Sequence, residues 1–217
     1  MDVERARFNM VEQQIRPWEV LDAKVLELLH KVRREDYVPD AYKALAFADL
    51  EIPIGHGEKM LSPKLEARIL QELTVSAEDR ILEIGTGSGY MTALLASQGA
   101  HVYSVDIVEA FTQSAGARLA HQGLHNFTLE TGDAARGWDK HGPYDVIVLT
   151  GSVPVLSEAF QNSLSAHGRL FAVVGEAPAM DGRLITRMAP GAWDTASLFE
   201  TCIPALRNAP QRPHFSF

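Results

Sequence analysis

A single cysteine, Cys202, stands in a chain of 217 residues. One thiol excludes an internal disulfide framework and fits a reducing compartment. Long apolar runs are missing too. Nothing approaches the ~20 consecutive apolar residues of a membrane-spanning helix. The N-terminal M-D-V-E-R-A-R-F-N-M lacks the apolar stretch of a signal peptide. Positive charge is scarce: 20 Lys and Arg stand against 28 Asp and Glu, for a formal net charge of -8 and a sequence pI near 5.5. A protein held to nucleic acid by phosphate contacts carries a basic face. These absences predict a soluble cytoplasmic protein with no membrane and no nucleic-acid partner.

What remains is ordinary globular composition, 46% hydrophobic and 22% charged, enough for one buried core. The first part reads as helical. Asp22 caps A-K-V-L-E-L-L-H-K-V, where Val25, Leu28, Leu29 and Val32 recur at helical spacing. Ser62-Pro63 opens the next helix, with Leu65, Ile69, Leu70 and Leu73 on one face. From Arg80 short apolar runs alternate with amphipathic segments. Strands are expected at Ile81–Ile84, Val102–Val105, Phe127–Leu129, Val146–Leu149 and Leu170–Val174. Helices are expected at Tyr90–Ser97, Glu109–Gln122 and Val155–Leu164. This alternation predicts an α/β fold, a doubly wound, mostly parallel sheet with helices on both faces. Leu184–Met188 and Thr195–Ile203, joined by A-P-G-A-W, predict an antiparallel strand pair at one edge. The expected organisation is one domain over 1–217: an N-terminal helical cap and substrate segment over 1–75, and a ligand-binding core over 76–217. Trp18, Trp138 and Trp193 read as packing residues. The proline-interrupted tail N-A-P-Q-R-P-H-F-S-F ends in aromatics that suit docking on the body.

I-L-E-I-G-T-G-S-G-Y, Ile81 to Tyr90, is a strand, a glycine-rich turn and a helix start. Glycines remove the Cβ atoms that would keep a ligand from the backbone, and the helix N-terminus offers free N–H groups. Gly85, Gly87 and Gly89 make G-x-G-x-G, whereas the dinucleotide fingerprint is G-x-G-x-x-G. No G-K-S/T follows, so this is no Walker loop. Glu83 at the strand end suits a cationic ligand better than a pyrophosphate; S-adenosylmethionine carries a sulfonium, an ammonium and a carboxylate, and no phosphate. The next strand ends at Asp106, near the ~20-residue spacing of an acid that grips ribose hydroxyls. The alternative for Asp106 is a cap for the helix that follows. Asp133, in T-G-D-A, falls at the carboxyl edge of the sheet and suits an adenine amino group.

I-L-E-I-G-T-G-S-G-Y, V-Y-S-V-D, G-D-A-A-R-G-W and P-Y-D-V-I-V-L-T-G resemble the methyltransferase motifs of the protein-L-isoaspartate O-methyltransferase family. The resemblance runs from about Met10 to the C-terminus. It implies a Rossmann-like fold and S-adenosyl-L-methionine as cofactor, held by Glu83, Gly85, Thr86, Gly87, Ser88, Gly89, Asp106, Ile107, Gly132, Asp133 and Ala134. It implies methyl transfer to the carboxylate of isoaspartyl residues in proteins or peptides.

One segment departs from that pattern. Family members carry a stretch resembling I-G-x-G-Q-T-I-S-x-P over the cofactor, its serine near the reacting oxygen. Here I-G-H-G-E-K-M-L-S-P matches at Ile54, Gly55, Gly57 and Pro63. Glu58, Lys59, Met60 and Leu61 replace the other letters, and the serine falls one residue late, at Ser62. Ser62, Lys59 and His56 are the candidate catalytic residues. Each has a plainer reading: helix cap for Ser62, solvated loop residue for Lys59 and His56. One loop supplies too few ligands for a metal, so none is expected. A methyltransferase on the same fold with another acceptor, and a non-turning-over S-adenosylmethionine-binding protein, are the alternatives; a nicotinamide dehydrogenase is disfavoured by Tyr90.

Overall fold

The computed structural model describes residues 2–212. The last five residues of the proline-interrupted tail lie outside the described residues, so the expected docking of its aromatics does too. The chain opens with α1 (Val3–Met10), a π-helical turn (Val11–Ile15) and a 3-10 turn (Arg16–Trp18). α2 (Ala23–Lys31) starts where Asp22 accepts a hydrogen bond from the Lys24 N–H at 2.8 Å. That cap satisfies a donor the helix cannot. A two-stranded antiparallel hairpin follows, β1 (Ile52–Gly55) and β2 (Glu58–Met60), then α3 (Pro63–Leu73).

The core alternates β3 (Arg80–Ile84), α4 (Tyr90–Ala96), β4 (His101–Asp106), α5 (Glu109–His121), β5 (Phe127–Thr131), β6 (Tyr144–Leu149), α6 (Glu158–Asn162) and β7 (Leu164–Glu176), and closes with β8 (Ala179–Ala189) and β9 (Ala192–Thr201). The sheet order is β5-β4-β3-β6-β7-β8-β9. β3 to β7 run parallel, and β8 and β9 are added as an antiparallel meander. The parallel sheet with an antiparallel edge pair is the expected architecture.

Side chains alternate between two buried faces. Ile81, Val146, Val148, Phe171 and Val173 join the helices before β3 in one apolar cluster. Leu82, Ile84, Ile147, Leu149, Leu170 and Ala172 face the other cluster, with Phe160 of α6. A strand buried on both faces is apolar at every position, which is why these strands read as continuous runs in the sequence. The N-terminal helical segments therefore belong to the same packing as one sheet face.

Boundaries differ from the expected ones in one informative place. The helix expected over Val155–Leu164 forms only over Glu158–Asn162. Before it, Val153 is drawn alongside β7: its N–H reaches the Val173 carbonyl at 2.9 Å and its carbonyl accepts from Gly175 at 3.0 Å. After it, Leu164 pairs with Tyr144, and the register then skips to Arg169 opposite Val146. Sheet pairing at both ends outcompetes helical propensity.

Candidate active site

β3 and β6 are neighbours, and the connection after β3 leads to β4 on one side while that after β6 leads to β7 on the other, so a crevice opens at their carboxyl ends. The glycine loop forms its floor. Gly85, Gly87 and Gly89 all have positive φ, at 98°, 49° and 84°, a region glycine enters without cost. A Cβ on Gly85 would lie 2.2 Å from Thr150 Oγ1. That hydroxyl is already fixed, donating toward the carbonyls of Ile84 at 3.0 Å and Gly85 at 2.7 Å. At Gly89 the obstacle would be Ala115 of α5, 2.9 Å away.

Asp106 ends β4 beside this loop. Its Oδ2 accepts from the Gly87 N–H and its Oδ1 from the Val108 N–H, both at 2.9 Å. Burial pushes its carboxyl up, and the two N–H groups oppose the shift. Asp133 follows β5; its Oδ1 accepts from the Ala135 N–H at 3.2 Å and its Oδ2 from Asn208 Nδ2 at 2.9 Å. Gly85, Thr86, Gly87, Ser88, Asp106, Ile107, Gly132, Asp133 and Ala134 all line one cleft of about 920 Å³, part of it open to solvent.

Two of the candidate binding residues lie elsewhere. Gly89 sits behind the lining as the N-cap residue of α4. Glu83 is 0% exposed, beneath the loop. Its Oε2 accepts from the Thr92 hydroxyl, and its Oε1 has no partner. The neighbouring Ser104 hydroxyl is paired with Thr86 at 2.6 Å. Burial pushes the Glu83 carboxyl up to about 8, with the Thr92 hydroxyl acting the other way. Glu83 thus lies beneath the loop, outside the lining of the cleft.

The I-G-H-G-E-K-M-L-S-P segment forms the β1–β2 hairpin and the step into α3. Ile54, Glu58, Lys59, Met60 and Leu61 line the cleft; His56 and Ser62 do not. His56 is at the hairpin tip with φ 54°, its ring edge-on to Phe111 at 5.2 Å. Lys59 is bridged to Glu51 at 3.2 Å. Ser62 occupies the N-cap position of α3, but its hydroxyl makes no cap hydrogen bond; only its carbonyl serves the helix.

The sequence reading missed the segment after β9. Pro204, Ala205, Leu206 and Arg207 also line the cleft. Two backbone bonds to Ser152 hold this segment: the Ser152 N–H donates to the Pro204 carbonyl and the Leu206 N–H to the Ser152 carbonyl, both at 2.9 Å. Arg207 Nε donates to Glu58 at 2.7 Å, and its Nη2 donates to the His56 carbonyl. With Asn208 on Asp133, two neighbouring residues tie this strap to both lips of the cleft. No periodicity or glycine pattern marks it in sequence. Thr150 was also missed, although its place one residue past β6 follows the rule that ligands meet strand carboxyl ends. Among the described residues no cluster of side chains is suited to a metal ion, and no helix is long and apolar enough to cross a membrane.

The class is therefore a doubly wound α/β protein with a ligand crevice at the carboxyl ends of its strands, floored by a glycine turn and edged by Asp106 and Asp133. The model of the protein-L-isoaspartate(D-aspartate) O-methyltransferase family matches residues 5–197, and the chain belongs to that family. It is 34% identical over 204 residues to the protein-L-isoaspartate O-methyltransferase of Gloeobacter violaceus, covering 93% of this chain and 99% of the relative. It is 36% identical over 192 residues to the Xanthomonas axonopodis protein of the same name, covering 88% and 84%. Its fold matches a Plasmodium falciparum crystal structure described as this methyltransferase in complex with S-adenosyl-L-homocysteine. The TM-score is 0.80 at 19% identity, over 95% of this chain and 99% of that one.

Proposed function

We propose that the chain is an S-adenosyl-L-methionine-dependent O-methyltransferase acting on the carboxylate of isoaspartyl residues in cytoplasmic proteins. Residues 1–75 supply the acceptor side and residues 76–217 the cofactor side. The observation that carries the reading is the composition of the cleft, together with family membership. Asp106 and Asp133 flank a glycine-rich loop, and the only cations among the described lining residues, Lys59 and Arg207, are each paired with a carboxylate. A pyrophosphate would find repulsion there; a phosphate-free adenosyl ligand carrying positive charge would not. Asp106 keeps free lone pairs beyond its two N–H partners and would accept from ribose hydroxyls. Asp133 would take the adenine amino group.

When bound, S-adenosyl-L-methionine supplies an electrophilic methyl group on a sulfonium. An acceptor carboxylate is ionised at neutral pH, so no side chain has to remove a proton. What the chain must do is align the oxygen and exclude water. Ile54, Met60, Leu61, Met91 and Phe111 wall the cleft with apolar surface, and the hairpin and strap cover it. This task survives the loss of the family serine, whose hydroxyl would add about 1.5–3 kcal/mol as one donor to a charged acceptor.

A second reading, another carboxylate or hydroxyl acceptor on the same cofactor, is favoured by one observation: buried Leu61 stands in the cleft in place of the family serine, beside buried Met60. Methyl-labelled cofactor tests the two. Label that enters an isoaspartyl peptide and is released by mild base is a methyl ester and supports the first. A protein that binds S-adenosyl-L-homocysteine yet leaves that peptide unlabelled supports the second.

A further inference from the structure

Arg34 is charged, 1% exposed, and absent from the cleft lining. Its guanidinium nevertheless holds three separate pieces of the acceptor side. Nε donates to the Ala46 carbonyl at 2.9 Å, Nη2 to the Leu61 carbonyl at 2.6 Å, and Nη1 to the Glu66 carboxylate. The guanidinium carbon also lies 5.2 Å from the centroid of the Tyr90 ring. Leu61 and Glu66 line the cleft. Tyr90 opens α4 directly after the glycine loop. One side chain therefore touches the wall that faces an acceptor and the helix that carries the cofactor loop.

We propose that Arg34 is the positioning residue that sets the acceptor wall, through the Leu61 carbonyl and the Glu66 carboxylate, against the glycine loop. The proposal rests on the reading that the acceptor enters beside Met60 and Leu61. The planar fork of guanidinium reaches three acceptors in divergent directions at once; a lysine ammonium on a flexible stem does not reproduce it. Misalignment of the wall by about 1 Å carries a rate loss of about 10²-fold without any loss of contact to the cofactor.

A purely structural role is separable from this one. Replacing a buried ion pair by apolar residues of similar volume is often neutral for stability, so Arg34→Met combined with Glu66→Met tests position rather than charge burial. The double variant and Arg34→Lys are compared with the wild type in three measurements. These are S-adenosyl-L-homocysteine affinity by calorimetry, kcat and KM for an isoaspartyl peptide, and amide hydrogen exchange with S-adenosyl-L-homocysteine bound. The expected result in both variants is a kcat lower by about 10²-fold and faster exchange at residues 59–62 with protection of 85–89 intact; S-adenosyl-L-homocysteine affinity is unchanged in Arg34→Lys, which leaves the lining residues in place. Wild-type turnover, or unchanged exchange at 59–62, in a folded variant overturns the proposal. Should the double variant fail to fold, Arg34→Lys decides on the same readouts. Should the wild type itself leave the peptide unmethylated, the acceptor assignment fails, and the exchange measurement alone decides on Arg34.

Discussion

Gly85 has no room for a side chain, because its φ of 98° and the fixed Thr150 hydroxyl close the space from two directions. Gly85→Ala should lower stability by about 1–3 kcal/mol and weaken S-adenosyl-L-homocysteine binding; thermal melting and calorimetry read the two effects. Ser62 is the opposite case. Its hydroxyl neither caps α3 nor lines the cleft, so Ser62→Ala should change stability by less than about 0.5 kcal/mol and leave methyl transfer close to wild type. A collapse of turnover in Ser62→Ala would show that the hydroxyl reaches the acceptor after all. The glycines and Asp106 were legible because backbone approach to a ligand admits few residue types. The place of Ser62 was less legible, because spacing along a chain does not say which way a side chain points once a strand gives way to a helix.

At the scale of elements, the hairpin and the strap after β9 form one unit through Arg207, Glu58 and the His56 carbonyl. The Glu58–Arg207 pair is half-exposed, so its contribution to global stability is under about 1 kcal/mol. Its effect belongs to the cleft mouth instead. Arg207→Ala with Asn208→Ala should leave the melting temperature nearly unchanged and speed S-adenosyl-L-homocysteine dissociation severalfold in stopped-flow displacement; an unchanged off-rate would mean the strap does not cover the ligand. The core strands were legible because burial on both faces writes an unbroken apolar run. The strap was not, since its hold comes from Ser152, Glu58 and Asp133, residues ~50 to ~150 positions away whose contacts leave no local pattern. The shortened α6 was missed for the same reason: Val153 and Leu164 answer to strand partners, not to their neighbours.

For the molecule as a whole, the buried Glu83 links stability to pH. Its carboxyl rises from an ordinary 4.5 to about 8 in the fold, so the native state holds a proton that the unfolded chain releases. That contribution is full below about 4.5 and is lost as pH rises toward 8. Glu83→Gln, which keeps an acceptor for Thr92, should therefore gain on the wild type across this window, by an amount on the order of a few kcal/mol. Urea unfolding at a series of pH values checks it; parallel profiles would contradict the burial argument. The fold class and the part of the cleft lined by the glycine turn, Asp106 and Asp133 were readable in advance, because a glycine turn, an acid one strand later and a parallel sheet impose local residue choices. The acceptor side was not, because apolar letters such as Met60 and Leu61 describe a wall without saying what rests against it. The most direct test of the account is thus at the acceptor: the ratio of kcat/KM for a matched pair of peptides, one isoaspartyl and one aspartyl, with methyl-labelled S-adenosyl-L-methionine. The account predicts base-labile label on the isoaspartyl peptide alone. Equal labelling of both peptides, or none on either while S-adenosyl-L-homocysteine still binds, would contradict it.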